Sequence, residues 1–335
     1  MNGEFSRAKG RVAALKRSVG SLRALAFPDL MREMSAQNYL QRVERKRGGD
    51  GQPWDPFHFI SHHGYLAQGL TLAQRFKAAL VHYRQEGSLF DDALVQQVYS
   101  PAGFTLWQAE VDGHAFSMHM ALAGEESLEG DLCVRLLADG QCVGSQNFVW
   151  SDSALFGGSG GPTLFITRNQ THTWPELQIF RACFKQNSPP YFCLAALSGV
   201  AQACGMKELY AVQHAAQMSY LPKYASSFRN SYDEFWEKFS AESVSPQAYR
   251  LPLPLELRDL SELKSKHRSR AEARRRAWGE VGRSAGAALA SHLRGASRAV
   301  PAQPAAGLTP QSPTFCAAAV LADWISALPS ALPLA

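Results

Sequence analysis

At 335 residues, 46% of them hydrophobic and 19% charged, the chain has the composition of a soluble globular protein and can bury one large core or two small ones. No apolar run reaches transmembrane length, and the N-terminus lacks the apolar core and small-residue cleavage site of a secretory signal, so a cytoplasmic location is expected. The net charge of +5 is modest but unevenly placed, with basic residues at Arg7, Lys9, Arg11, Lys16, Arg17 and Arg23 and again between Lys264 and Arg276, which points to an anionic partner.

Residues 6–27 alternate basic and apolar positions at helical spacing (Val12, Leu15, Val19, Leu22, Leu25). Such a helix can lie on an anionic membrane or pack on its own domain, and the second reading is the simpler one. The Gly- and Asp-rich stretch 46–56 reads as a linker. Phe57 to Tyr83 is read as helical from Leu66, Leu70, Leu72, Phe76, Leu80 and Tyr83, which lie mostly at helical spacing. From Phe104 the period changes to two, and Asp112-Gly113 and Asp139-Gly140 each sit between alternating runs, the pattern of two hairpins. Cys133 and Cys142 could face each other across the second hairpin, although all six cysteines read as free thiols. A further strand runs from Thr163 to Thr167. Ser188-Pro189-Pro190 opens a helix that continues to Cys204, Gly205 stops it, and Leu209 to Val212 is a short buried strand. Pro301 to Ala335 carries one charge, Asp323, among alanines and prolines, and is expected to be mostly disordered. The domain plan is therefore a basic N-terminal extension and linker (1–50), a folded unit (55–280) and an Ala/Pro-rich tail (283–335).

Several motifs have plainer explanations than chemistry. Gly157 to Gly161 lacks the Lys-Ser/Thr of a phosphate-binding loop and precedes a strand, which favours a hairpin loop. His58, His62 and His63 lack the further ligands of a zinc site, and no metal is expected. Tyr232, Phe235 and Trp236 at helical spacing suit core packing as well as a ligand cage. Asp233, beside those aromatics, could gain the raised pKa of a general base. The basic run Lys264 to Arg276 could hold phosphate groups or be a solvated face, and without a recognition fold it does not indicate nucleic acid.

The array of Ser231 to Trp236, Tyr249 to Pro252 and Leu263 to Arg268, together with His82-Tyr83, resembles the VirK/YbjX family, a bacterial family of unknown function named after envelope- and virulence-linked proteins. In that pattern Gln170 is the survivor of a glycine-rich, glutamine-containing motif after the central strand. Gln213-His214 stands where relatives carry Ser-Asn, and Gln217 falls where they carry a histidine, which implies an altered pocket and a specialised biosynthetic member. The order of elements, a meander followed by strand, loop, long helix and strand, also resembles the GCN5-related acyltransferases. There the loop after the central strand offers backbone N–H groups to a coenzyme A pyrophosphate at a helix N-terminus. The corresponding segment here, Arg168 to Pro190, has no glycine, so Arg168 and Lys185 are the charges that would replace the cradle.

Together these imply an α+β fold with N-terminal helices, a central antiparallel meander extended by a helix–strand unit, and a disordered tail. The implied activity is an acyltransferase-like reaction on an envelope precursor or small amine, with acyl-CoA or an acyl-carrier protein as donor. Asp233 and His214 are the candidate catalytic groups. Arg168, Gln170, Lys185, Gln217, Tyr232, Trp236, Lys264, Lys266 and Arg268 are candidates for binding substrate or phosphate. The rival reading is a non-enzymatic protein that docks on a partner or on the inner membrane as a peripheral protein. The acyltransferase reading requires the late helix to point its amino end at an open cleft.

Overall fold

Two Asp-Gly turns shape the first half of the sheet in the computed structural model, which describes residues 27–29, 32, 60, 62–123, 129–185, 187–257 and 259–294. Strand β1 (Phe104–Val111) turns at Asp112-Gly113 into β2 (His114–Leu122), and β3 (Leu132–Ala138) turns at Asp139-Gly140 into β4 (Gln141–Asp152). Both residues of each turn have positive φ, the conformation that matches strand twist in a two-residue hairpin. Strand β5 (Pro162–Thr171) completes an antiparallel meander. The chain then crosses through α4 (Pro189–Ala203) to β6 (Glu208–Val212), which pairs parallel to β5, as a right-sized crossover permits. A last hairpin, β7 (Glu242–Ser245) and β8 (Ala248–Pro252), extends the sheet to eight strands in the order β1-β2-β3-β4-β5-β6-β8-β7. The fold is α+β, as the element order indicates.

Helix α1 (Leu72–Leu89) begins later than periodicity suggests. Thr71 and Gln74 form a reciprocal capping box, and the preceding residues turn, with buried Leu66 at φ +66°. Helix α2 (Asp92–Val98), capped by Asp91, and helix α3 (Glu176–Cys183) were not foreseen from the sequence pattern. Helix α3 lies inside the stretch read as one loop, and its Phe180 meets Phe192 of α4 at 5.0 Å and Phe116 of β2 at 6.2 Å. Two short helices, α5 (Ala225–Ser231) and α6 (Asp233–Trp236), follow β6. Cys133 and Cys142 do not face each other: Cys133 pairs with Asn147 and Cys142 with Leu137.

Helix α7 (Ser265–Ala290) runs past the composition change at Gly282, burying Val281, Ala285 and Leu289, and an isolated bridge from Leu293 to Phe90 follows. Its glycines explain why. A Cβ on Gly199 of α4 would fall on the carbonyl oxygen of Gly282, and one on Gly286 would stand 3.1 Å from the carbonyl oxygen of Gly199. Alanine- and glycine-rich sequence here is therefore a close helix crossing, where side chains larger than hydrogen do not fit. The basic helix read at 6–27, the linker at 46–56, His58 and the tail from 301 lie outside the described residues.

Candidate functional site

Strand β5 is bonded to β4 as far as Gly144 opposite Thr171, but to β6 only at Phe165 opposite Tyr210 and Ile166 opposite Ala211. Beyond that the two strands part, and the space outside the carboxyl ends of diverging strands is where open sheets hold ligands. A cavity of about 230 Å³ lies there, lined by Glu129, Arg168, Asn169, Gln170, Gln217 and Tyr232 among others. The register slips between Asn147 opposite Arg168 and Phe148 opposite Ile166, which leaves Thr167 as a bulge. The buried Thr167 hydroxyl bonds the carbonyl of Glu129, and that of Asn147 at 3.2 Å. The bulge thereby holds residue 129 at the cavity.

Glu129 is the hub. Its buried carboxylate accepts from Arg168 Nη1 at 2.8 Å, from the Gln217 side-chain amide, and from Ser219 Oγ at 3.3 Å. A carboxylate removed from water needs such a set of donors. Gln217 Oε1 in turn accepts from the Ser219 backbone N–H at 2.6 Å, so one glutamine ties the turn after β6 to the end of β5. The Asn169 side-chain amide donates to the Ser231 carbonyl at 2.9 Å, and its backbone N–H reaches the Tyr232 hydroxyl at 3.4 Å. Burial pushes the Tyr232 phenol well above its ordinary range, so it stays neutral.

A second cluster adjoins the first. His214 follows β6 and Asp233 opens α6. The imidazole Nδ1 lies 2.5 Å from Asp233 Oδ2, and the His214 backbone N–H donates to Oδ1 at 2.9 Å. Tyr249 also bonds Asp233, and burial first, then that carboxylate, raises its phenol to about 12, so Tyr249 donates. With Nδ1 directed at a carboxylate, Nε2 is the nitrogen left to take a proton. A run of ring contacts joins this pair to the cavity wall: His214 to Tyr220 at 5.5 Å, Tyr220 to Phe228 at 5.5 Å, and Phe228 to Tyr232 at 5.9 Å.

Of the residues singled out in the sequence, Arg168, Gln170, Gln217 and Tyr232 line one cavity, and His214 and Asp233 pair beside it. The others lie elsewhere. Lys185 is exposed in the turn after α3 at φ +54°. Trp236 is wholly buried, its indole N–H on the Val212 carbonyl at 3.1 Å, so it packs the core rather than facing a ligand. Lys264, Lys266 and Arg268 are exposed at the start of α7, and Arg268 donates to the carbonyls of Leu263 and Ser261 at 2.9 and 2.8 Å. Glu129, Ser219 and Tyr249 were missed. No motif marks Glu129, whose partners are 39 to 90 positions away (Arg168 to Ser219).

The start of α4 is closed. Pro189 and Pro190 have no N–H to offer, and the Tyr191 N–H donates to the Ser188 carbonyl at 3.1 Å. Pro189 packs on Gly144 with no room for a Cβ there, and Gln146 donates to the Pro190 carbonyl at 3.3 Å. The phosphate cradle of the GCN5-related pattern, already missing its glycine in Arg168 to Pro190, is not built here, and the late helix does not point its amino end at an open cleft. The glycine loop 157–161 is likewise self-satisfied, with the Gly160 N–H on Ser153 Oγ at 3.0 Å and the Gly161 N–H on Asp152 Oδ1 at 3.3 Å. Among the described residues no group of His, Cys, Asp and Glu could hold a metal ion, and no helix is long and apolar enough to cross a membrane.

Residues 22–278 match the profile of a family described as protein of unknown function (DUF535). The chain belongs to the DUF535 family. That match spans the whole cavity and the His214–Asp233 pair, so both lie within the DUF535 domain. No curated protein is significantly similar to the chain. A mutant form of a cAMP-binding acyltransferase from Mycobacterium smegmatis aligns at a TM-score of 0.27 and 12% identity, over 69% of this chain and 66% of that one. The chain therefore spans just under two thirds of that protein's length, and a likeness this distant says nothing of chemistry.

Proposed function

We propose that this DUF535 domain is an enzyme whose His214–Asp233 pair takes a proton from a small polar amine or hydroxyl held at the cavity beyond β5; the closed start of α4 ends the acyltransferase reading that required an open cleft there. The observation that carries this reading is the 2.5 Å contact of His214 Nδ1 with Asp233, beside a cavity lined by Arg168. The carboxylate fixes one imidazole tautomer, and Nε2 then takes the proton from the attacking nucleophile. Arg168, steadied by Glu129, orients an anionic group of the substrate. The VirK/YbjX resemblance supports a bacterial, virulence-linked envelope precursor as substrate, and Gln217 in place of a histidine supports a specialised biosynthetic member.

Thermal-shift titration of the full chain with small polar amines and alcohols tests this, with acyl-CoA as the ligand not expected to bind. A true ligand at about 100 times its Kd adds about 2.7 kcal/mol. Stabilisation by an amine or alcohol is expected, with turnover lost in His214→Gln and binding retained. If nothing in the panel stabilises the chain, or if the glutamine variant turns over normally, the enzyme reading fails.

One observation favours a second reading. Lys264, Lys266, Arg268, Arg270, Arg274, Arg275 and Arg276 oppose Glu272 alone within that stretch of sequence, mostly exposed, which suits docking on an anionic surface at the cytoplasmic side of the inner membrane. Flotation with anionic liposomes checks it: loss of retention on neutralising three of these residues is expected, and no retention of the parent chain rejects it.

A further inference from the structure

We propose that the groove between α4 and α7 binds a single anionic amphiphile, an apolar chain bearing a carboxylate or phosphate head. The groove measures about 560 Å³, within the roughly 300–1,000 Å³ of small-molecule sites. It shares no lining residue with the cavity at the end of β5. Its origin lies in the helix crossing. Gly199 and Gly282 bring the two backbones together, so neither helix has a side chain there to fill the flanking space. One wall is rigid: Tyr191 and Trp278 stack at 4.7 Å and 5°, and the Trp278 N–H is fixed on Asn187 Oδ1 at 2.9 Å. The segment after β8 supplies Leu255 and Leu257, and Leu257 is 36% exposed.

Charge selects the head group. Arg275 and Arg283 both line the groove, and their eight-residue spacing on α7 places them roughly 12 Å apart along one face of the helix. No acidic residue lines the groove among the described residues. A guanidinium presents a planar fork that fits carboxylate or phosphate. A neutral chain would desolvate the Arg283 guanidinium without compensating it. A bilayer surface cannot enter a slot between two packed helices, so the occupant is one molecule.

The test is displacement of a fluorescent fatty acid from the full chain by palmitate, by lysophosphatidic acid and by neutral monopalmitoylglycerol, each below its micelle concentration. The anionic ligands are expected to compete about tenfold or more better than the neutral one, and their order separates a carboxylate head from a phosphate head. Gly279→Leu is expected to abolish binding, because a Cβ there meets only the end of the Arg283 side chain at 3.3 Å and the added side chain can fill the groove. Arg283→Gln, an exposed change, is expected to weaken the anionic ligands and leave the neutral one unaffected; it decides the matter if Gly279→Leu lowers the Tm. Equal competition by the neutral amphiphile, unchanged binding in Arg283→Gln, or binding to vesicles but to no monomeric amphiphile would overturn the proposal.

Discussion

His82 shows how far one buried side chain can set solution behaviour. It is fully buried on α1, its Nδ1 accepts the Trp150 backbone N–H at 3.1 Å, and Nε2 has no partner among the described residues. Burial pushes its pKa down, against a smaller opposing pull from Asp131. The unfolded chain therefore takes up a proton below about pH 6.5 while the folded chain does not, so stability falls as pH drops through that value toward the lowered folded one. His119 and His172, each lowered by burial first, act in the same direction. Urea midpoints are expected to fall between pH 7.5 and pH 5.5, and to fall less in His82→Gln, which keeps an acceptor but does not titrate. An identical slope in that variant would remove His82 from the account. The sequence marked Tyr83 by its helical spacing but singled out His82 only through a family resemblance. It offered nothing for Glu129, because an acidic residue in a Gly- and Glu-rich stretch looks solvated until the fold brings Arg168 and Gln217 to it.

At the level of elements, the hairpins were legible and the helix ends were not. Asp-Gly between alternating runs dictates its own register, since φ > 0 at both turn residues fixes the pairing locally. Helix α3 was passed over although Leu177 and Phe180 stand at helical spacing, because it is only eight residues long and lies within a stretch read as one loop; it is held by Phe180 packing on distant rings. Strands β7 and β8 were hidden because they are five residues or fewer and gain their identity from pairing, β8 with β6 and β7 with β8. The crossing of α4 and α7 was misread as the approach of a tail, since small residues signal either low order or close contact. Gly199→Ala separates these. The added methyl must displace the Gly282 backbone, so a cost of about 1–3 kcal/mol is expected, seen as a lower Tm. The same change in a loosely packed helix would raise stability by up to about 1 kcal/mol, and that outcome would refute the crossing.

For the molecule as a whole, the family match ends at 278, yet α7 continues to Ala290 and buries Ala285 and Leu289 beyond it. A chain cut after Gly282 is expected to lose cooperative thermal unfolding, or at least to unfold at a clearly lower temperature, because those apolar contacts and the bridge from Phe90 to Leu293 go with the cut. An unchanged melting curve would show that the last two turns of the helix are dispensable.

The lone parallel seam between β5 and β6 has a consequence for how the molecule is made. Everything from β1 to β5 pairs with its neighbour in sequence, whereas β6 can join only after α4 has been laid across. Short-range pairings form first and long-range ones late. Pulse-labelling of amide protons during refolding should therefore protect Phe116 to Phe148 before Tyr210 and Ala211. Should protection arrive everywhere at once, the two halves condense together. In the staged case, a chain caught midway during synthesis would hold most of its sheet yet be chemically blind, with Arg168 already in place and Gln217 still to arrive.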